Sequence, residues 1–142
     1  MPTPDPKSLH RLVDKDEQTR IPSSKIHNWI EPHPDAPFPA ERDRYVLYIH
    51  YGCPWAHRAN IARSLKGLGD VIQLVALDAM HPQKSWYFNG RNGLHKDPLY
   101  GFKYLRQLYE KADPNFQGRV ALPTLWDKKQ GIFTQGFYLA FF

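Results

Sequence analysis

The chain reads as a single α/β domain, and three observations carry that reading. RYVLYIH, from Arg44 to His50, is β-branched and aromatic and short enough for one strand. DVIQLVALD, from Asp70 to Asp78, is apolar without alternation, as in a strand covered on both faces. Between them lies a stretch of helical periodicity, so residues 44–78 spell strand, helix, strand. At 142 residues and 42% apolar content, the chain has the size of one ordinary domain and enough apolar mass for a modest core.

The elements follow in order. Residues 1–43 form an irregular N-terminal extension, because Pro32, Pro34, Pro37 and Pro39 fall within one short stretch. Proline lacks a backbone donor and disfavours helix in the residue before it. Trp29, Ile30 and Phe38 are the residues that could anchor this extension to a surface. After the first strand, Pro54 suits the first turn of a helix, where its missing N–H costs nothing. Ile61, Leu65 and Leu68 follow at helical spacing, and Gly67 and Gly69 mark the end. Past the second strand, residues 79–97 read as loop, punctuated by Gly90, Gly93 and Pro98. Asp97-Pro98 predicts the start of a second helix, with Phe102, Leu105, Leu108 and Tyr109 as its apolar face, running to about Ala112 and closed by Asp113-Pro114. VALPTLW predicts a third strand with Pro123 inside it. Asp127 to Gly131 is a turn, and GIFTQ begins a hairpin partner. The order is β-α-β-α-β-(β), without internal repeats.

Composition removes several functional classes. No apolar run approaches the length of about eighteen residues needed to span a membrane. Asp5, Asp14, Asp16 and Glu17 sit in an N-terminus without an apolar stretch, so no targeting signal is expected. The net charge of +5 is dispersed, with Arg42, Arg44 and Arg58 as its best cluster. A nucleic-acid surface would show a basic stripe with interleaved aromatics. Cys53 is the only cysteine, which excludes an internal disulfide and fits a reducing compartment, most simply the cytosol.

Chemistry concentrates at Tyr51 to Arg58, YGCPWAHR. Cys53 falls at the strand-to-helix junction, where unpaired N–H groups and the helix dipole favour an anion. A thiolate is such an anion, and His50, His57 and Arg58 would add to the effect, making Cys53 reactive at neutral pH. Ala56 stands where a dithiol motif would carry its second cysteine. A mixed disulfide on Cys53 must therefore be resolved from outside, and glutathione is the natural small thiol for it. Competing accounts stand beside this one. A free cysteine is often a small buried hydrophobe. A metal site on His50, Cys53 and His57 lacks a fourth ligand, and a hydrolase lacks a fixed base and acid. Pro123 fits either a cis peptide near a ligand or a trans proline on an edge strand.

CPWAHR after YVLYIH, LKGL in the helix, SWYF after the second strand, YEKADPNFQGRV and LPTLWDKK together resemble the glutathionyl-hydroquinone reductases, the xi class of omega-like glutathione S-transferases. IHNWI through FPAERDRY also resembles that family, and the likeness covers roughly residues 20–130. It implies a thioredoxin-like N-terminal domain over residues 44–136 that binds glutathione. It also implies that Cys53 attacks the thioether of a glutathionylated hydroquinone and that a second glutathione clears the mixed disulfide. By the same resemblance Trp86 packs on glutathione, and Arg119, Val120, Ala121 and Leu122 line it. Leu122 would offer its backbone as an added strand, Arg119 would pair with a carboxylate, and Pro123 is the fold's cis-proline.

The likeness breaks after LPTLWDKK. The family continues into an Asn-Glu-Ser segment that holds the γ-glutamyl end of glutathione, whereas Phe137 and Tyr138 stand about there in this chain. Residues 137–142 are expected to be a divergent apolar tail, and the family's helical C-terminal domain, with its dimer contacts and hydroquinone pocket, to be absent. The reading is an impaired glutathione-dependent transferase or reductase acting on glutathionylated hydroquinones or other small thiol conjugates. Glutaredoxin-like deglutathionylation needs no hydroquinone pocket. A non-catalytic thioredoxin-like binding module with an inert thiol is the alternative.

Overall fold

The structure, a computed structural model, describes residues 28–134. A four-stranded mixed sheet is its centre, in the order β2-β1-β5-β6. Strand β1, Tyr45–Ile49, is buried along its whole length, as its unbroken apolar run requires. Strand β2, Gln73–Ala76, pairs with it in parallel, Val46 facing Gln73 and Ile49 facing Ala76. Helix α1, Pro54–Leu65, makes the crossover between them. On the other side of β1, strand β5, Thr124–Asp127, runs antiparallel, with Tyr48 opposite Thr124. Strand β6, Ile132–Thr134, closes the sheet as a hairpin with β5. Helix α2, Leu105–Ala112, buries Leu105, Leu108 and Tyr109. This is the thioredoxin-like arrangement that the resemblance implies.

One contiguous core joins these elements, built around Tyr48, Phe88, Leu125 and Trp126, none more than 1% exposed. Its polar atoms are paired. The Trp126 indole donates to the Tyr100 hydroxyl at 3.0 Å, and the Tyr48 hydroxyl donates to Asp97 at 2.6 Å. Burial, and then that bond to Asp97, push the Tyr48 phenol far above its ordinary range. Residues 28–43 lie against the sheet by specific contacts. Phe38 is buried, Ile30 packs on the core, and Trp29 is largely exposed. Asn28 donates to the Phe133 carbonyl at 2.9 Å, and the buried Arg44 pairs with the fully buried Asp127, Nη2 to Oδ2 at 2.6 Å.

Four expectations need correction. Helix α1 does not bury Ile61 and Leu65, which are 44% and 83% exposed; its buried residues are Ala56, Ala59 and Ala62. Small side chains let a helix sit close on a sheet, and that closeness outweighs the larger apolar residues on the other side. The second helix begins at Leu105, not Pro98. Asp97 instead accepts the N–H groups of Leu99 and Tyr100, and a turn closes as the Gly101 N–H donates to the Asp97 carbonyl at 2.9 Å. Residues 79–97 are not all loop: β3, Ala79–His81, and β4, Ser85–Tyr87, form an antiparallel hairpin, with Met80 opposite Trp86. Pro123 lies just before β5 rather than inside it, and the Leu122–Pro123 peptide is cis. Because β5 lies between β1 and β6, the edge-strand alternative is excluded.

Candidate functional site

Cys53 is the N-cap of α1, in an extended conformation, with Pro54 opening the helix. Its N–H donates to the His50 carbonyl at 2.9 Å, and its own carbonyl accepts the His57 N–H at 2.9 Å. Those two bonds fix the turn that lifts the chain from β1 into α1. The thiol is free and half-buried, and no side chain caps the helix end. Sγ lies 3.8 Å from the Leu122 carbonyl oxygen, toward which it donates. A lone sulfur therefore sits where first-turn amides converge, beside the backbone that leads into the cis-proline.

His50 directly follows β1 and stands between this turn and the β3–β4 hairpin. Its Nδ1 accepts the Gly52 N–H at 3.1 Å, and its Nε2 lies 3.1 Å from the Asp78 carbonyl. An acceptor Nδ1 and a donor Nε2 define the neutral Nε2–H tautomer. The ring also meets the Trp86 indole, centroid to centroid 4.9 Å at 35°. Gly52 permits this: a Cβ there would come within 2.8 Å of the His50 ring. His57 and Arg58 are exposed on α1, and the Arg58 guanidinium lies 5.9 Å from the Trp55 ring centroid.

Asp78 follows β2 and is buried. Its carboxylate accepts backbone N–H groups from Asn89 at 2.6 Å, Gly90 at 3.0 Å and Asn92 at 2.6 Å. Burial alone would raise its pKa. The backbone donors of Asn89, Asn92, Gly90 and Arg91 more than offset that and hold the group below the ordinary aspartate value. Gly90 is demanded twice over in this loop: its φ is +92°, and a Cβ would fall 2.2 Å from the His95 ring.

The structure brings some of the sequence-predicted residues together. Cys53, Leu122 and Pro123 meet at the helix end, and Trp86 joins them through His50. Leu122 is buried, so its backbone rather than its side chain faces the thiol. Val120 belongs to the core, so only its backbone is available to a ligand. The Ala121 carbonyl accepts the Tyr109 hydroxyl at 3.1 Å, and Arg119 is exposed. Phe137 and Tyr138 lie outside the described residues. Sequence reasoning missed Asp78 altogether and saw His50 as a nearby charge and a metal-ligand candidate, not as the neighbour of Trp86. The available signal for Asp78 was a lone carboxylate ending an apolar strand.

Residues 52–136 match the family described as glutathione S-transferase, N-terminal domain. The chain belongs to that family. Within it, the chain is similar to glutathione S-transferase omega-like 2 of Schizosaccharomyces pombe, 44% identical over 81% of this chain and 36% of the relative. It is 41% identical to the glutathionyl-hydroquinone reductase YqjG of Escherichia coli over 75% of this chain and 35% of that protein. Among solved structures, the Xi class enzyme from Natrialba magadii superposes with a TM-score of 0.72 at 38% identity, covering 77% of this chain and 34% of its own. A glutathione-bound structure of Escherichia coli YqjG gives 0.69 at 39% identity, over 78% and 38% of the two chains. The chain thus spans about a third of the length of the curated relatives it matches.

Proposed function

We propose that this chain is a glutathione-dependent thiol transferase or reductase of the xi class, with Cys53 as its nucleophile. The observation that carries the reading is the placement of an unbridged cysteine at the N-cap of α1, 3.8 Å from the carbonyl that precedes the cis-proline. The Cys53 thiolate attacks the glutathione sulfur of a glutathionylated hydroquinone. The sulfur–aromatic carbon bond breaks, its electron pair passes to the ring carbon with a proton, and the free hydroquinone leaves. A Cys53–glutathione disulfide remains. A second glutathione thiolate then attacks the glutathione sulfur, releasing oxidised glutathione and regenerating the Cys53 thiolate. The ring carbon gains two electrons and each of the two glutathione sulfurs loses one, and the proton that the second glutathione gives up in becoming a thiolate balances the one taken up by the ring. Ala56 supplies no second thiol, so the external step is obligatory.

Around that nucleophile, Trp86 packs on glutathione, Arg119 pairs with a carboxylate, and the backbone of Val120, Ala121 and Leu122 with Pro123 lines the peptide. The proposed division is an N-terminal extension over residues 1–43, a glutathione-binding domain over 44–136 and a tail over 137–142, in a reducing, cytosolic setting. The test is to mix the chain with a glutathionylated hydroquinone, quench with acid, and read intact mass and released hydroquinone. A single glutathione adduct that disappears on adding glutathione, and is missing in Cys53→Ser, supports the reading. Hydroquinone release that is equal in the two proteins overturns it in favour of a non-catalytic module.

A further inference from the structure

We propose that His50 is a positioning residue that fixes the Trp86 platform relative to the Cys53 turn. The inference rests on the reading above, in which Cys53 and Trp86 serve one glutathione site. Trp86 takes its orientation in part from the His50 ring. It is carried by β4, three residues long, in a two-stranded hairpin separate from the main sheet. The far end of β4 is held by the Tyr87–Tyr104 bridge and by the Phe88 N–H, which donates to the Lys103 carbonyl at 3.1 Å, while the half-buried Trp86 indole packs partly on the core and against the His50 ring. Ser85, the first residue of β4, has a φ of +74°, a strained conformation that the surrounding contacts must hold in place. The Ser85 hydroxyl is buried and has no partner among the described residues, so it gives the strand no hold of its own.

His50 supplies the hold from three sides of one ring. Nδ1 fixes the Gly52 N–H, one residue before the nucleophile. Nε2–H fixes the Asp78 carbonyl, where β2 passes into the hairpin. The ring face fixes the Trp86 indole at 4.9 Å. The imidazole follows directly on β1, which is buried along its whole length and paired on both sides. The ring thereby ties the indole to the turn that carries the sulfur. A ligand spanning Cys53 and Trp86 meets a preorganised pair and loses less freedom on binding.

The test uses the 142-residue chain, with His50→Ala and His50→Asn, which keeps an acceptor for Gly52. Indole N–H signals are read by 15N NMR, the Trp86 signal being assigned from Trp86→Ala. The expected result is a shifted and broadened Trp86 signal in both His50 variants with the buried Trp126 signal unmoved. An unchanged Trp86 signal overturns the inference, whatever glutathione does. Glutathione protection of Cys53 against iodoacetamide is then measured. Each single variant should raise the half-protecting concentration about three- to tenfold. The double variant His50→Ala/Trp86→Ala should be no worse than Trp86→Ala, because His50 acts through the indole. Multiplying effects in the double variant would overturn the inference. A wild-type chain with no protection, or a Trp86→Ala chain protected as well as wild type, would sink the glutathione reading instead and leave the NMR result to decide the role of His50.

Discussion

Asp78→Asn tests how the segment after the hairpin is held. The side chain keeps its size but loses its charge and one of its two acceptor oxygens. In the native chain the two oxygens take three backbone N–H groups at 2.6, 3.0 and 2.6 Å, all in buried surroundings. A hydrogen bond to a charged group contributes about 1.5–3 kcal/mol, and a buried donor left unpaired costs about 1–3 kcal/mol. The amide retains acceptors for some of these donors and turns an N–H toward the others. The expected loss is about 3 kcal/mol at neutral pH, read as a lower urea midpoint at an unchanged slope.

The pH dependence gives that number a sign. The folded pKa of Asp78 is lowered from its ordinary value. As pH falls, the unfolded chain therefore takes up this proton before the folded chain does. The contribution of Asp78 is fully present above an ordinary aspartate value of about 3.9 and is lost as pH falls through the lower folded value. The gap between wild type and Asp78→Asn should hold constant from pH 7 to about 5 and narrow below about 3.9. Taking the difference between two proteins cancels the other carboxylates. A gap under about 1 kcal/mol at pH 7, or one that widens on acidification, would refute the reasoning.

Two further substitutions test the packing. Ala59→Leu should cost about 1–3 kcal/mol by thermal or urea unfolding, because Ala59 is 1% exposed against the sheet, whereas Leu65→Ala, at 83% exposure, should stay within about 0.5 kcal/mol. Asp127→Asn should lose about 3 kcal/mol in the same assay, because it removes the buried charged partner of the Arg44 guanidinium and leaves only the more exposed Glu41, at 3.4 Å.

What the sequence made legible was local. The unbroken apolar run of β1, the proline opening α1 and the glycine-bounded turn into β6 each rest on the chemistry of neighbouring residues. The placement of Cys53 at a helix N-cap followed from the same grammar. Features that depend on distant partners were not legible. Asp97-Pro98 has the chemistry of a helix start, but the Asp97 carboxylate is committed to Tyr48, 49 residues away in sequence, and to its own turn. The apolar spacing of Ile61 and Leu65 is helical, yet spacing does not say which face meets a sheet. The β3–β4 hairpin lacks a two-residue turn signature, and its strands are three residues each.

The same distinction runs through the candidate site. A thiol at a helix end is a local feature, and CPWA encodes it in four letters. The surroundings of that thiol are not local: Trp86 lies on a hairpin and meets the His50 ring, and Leu122 lies beside a distant cis-proline and meets the thiol through its carbonyl. Ala56, Ala59 and Ala62 bring α1 close to the sheet, which carries its N-cap toward the Leu122 carbonyl. His50 and Gly52 then tie that N-cap to the hairpin, with the missing Cβ of Gly52 leaving room for the ring. Bulk at Ala59 would push the helix outward and move the thiol from Leu122. Loss of the His50 ring would leave the thiol in place and free the indole. The two perturbations therefore separate in a single assay, since the first should change the alkylation rate of Cys53 without ligand and the second should change only its protection by glutathione.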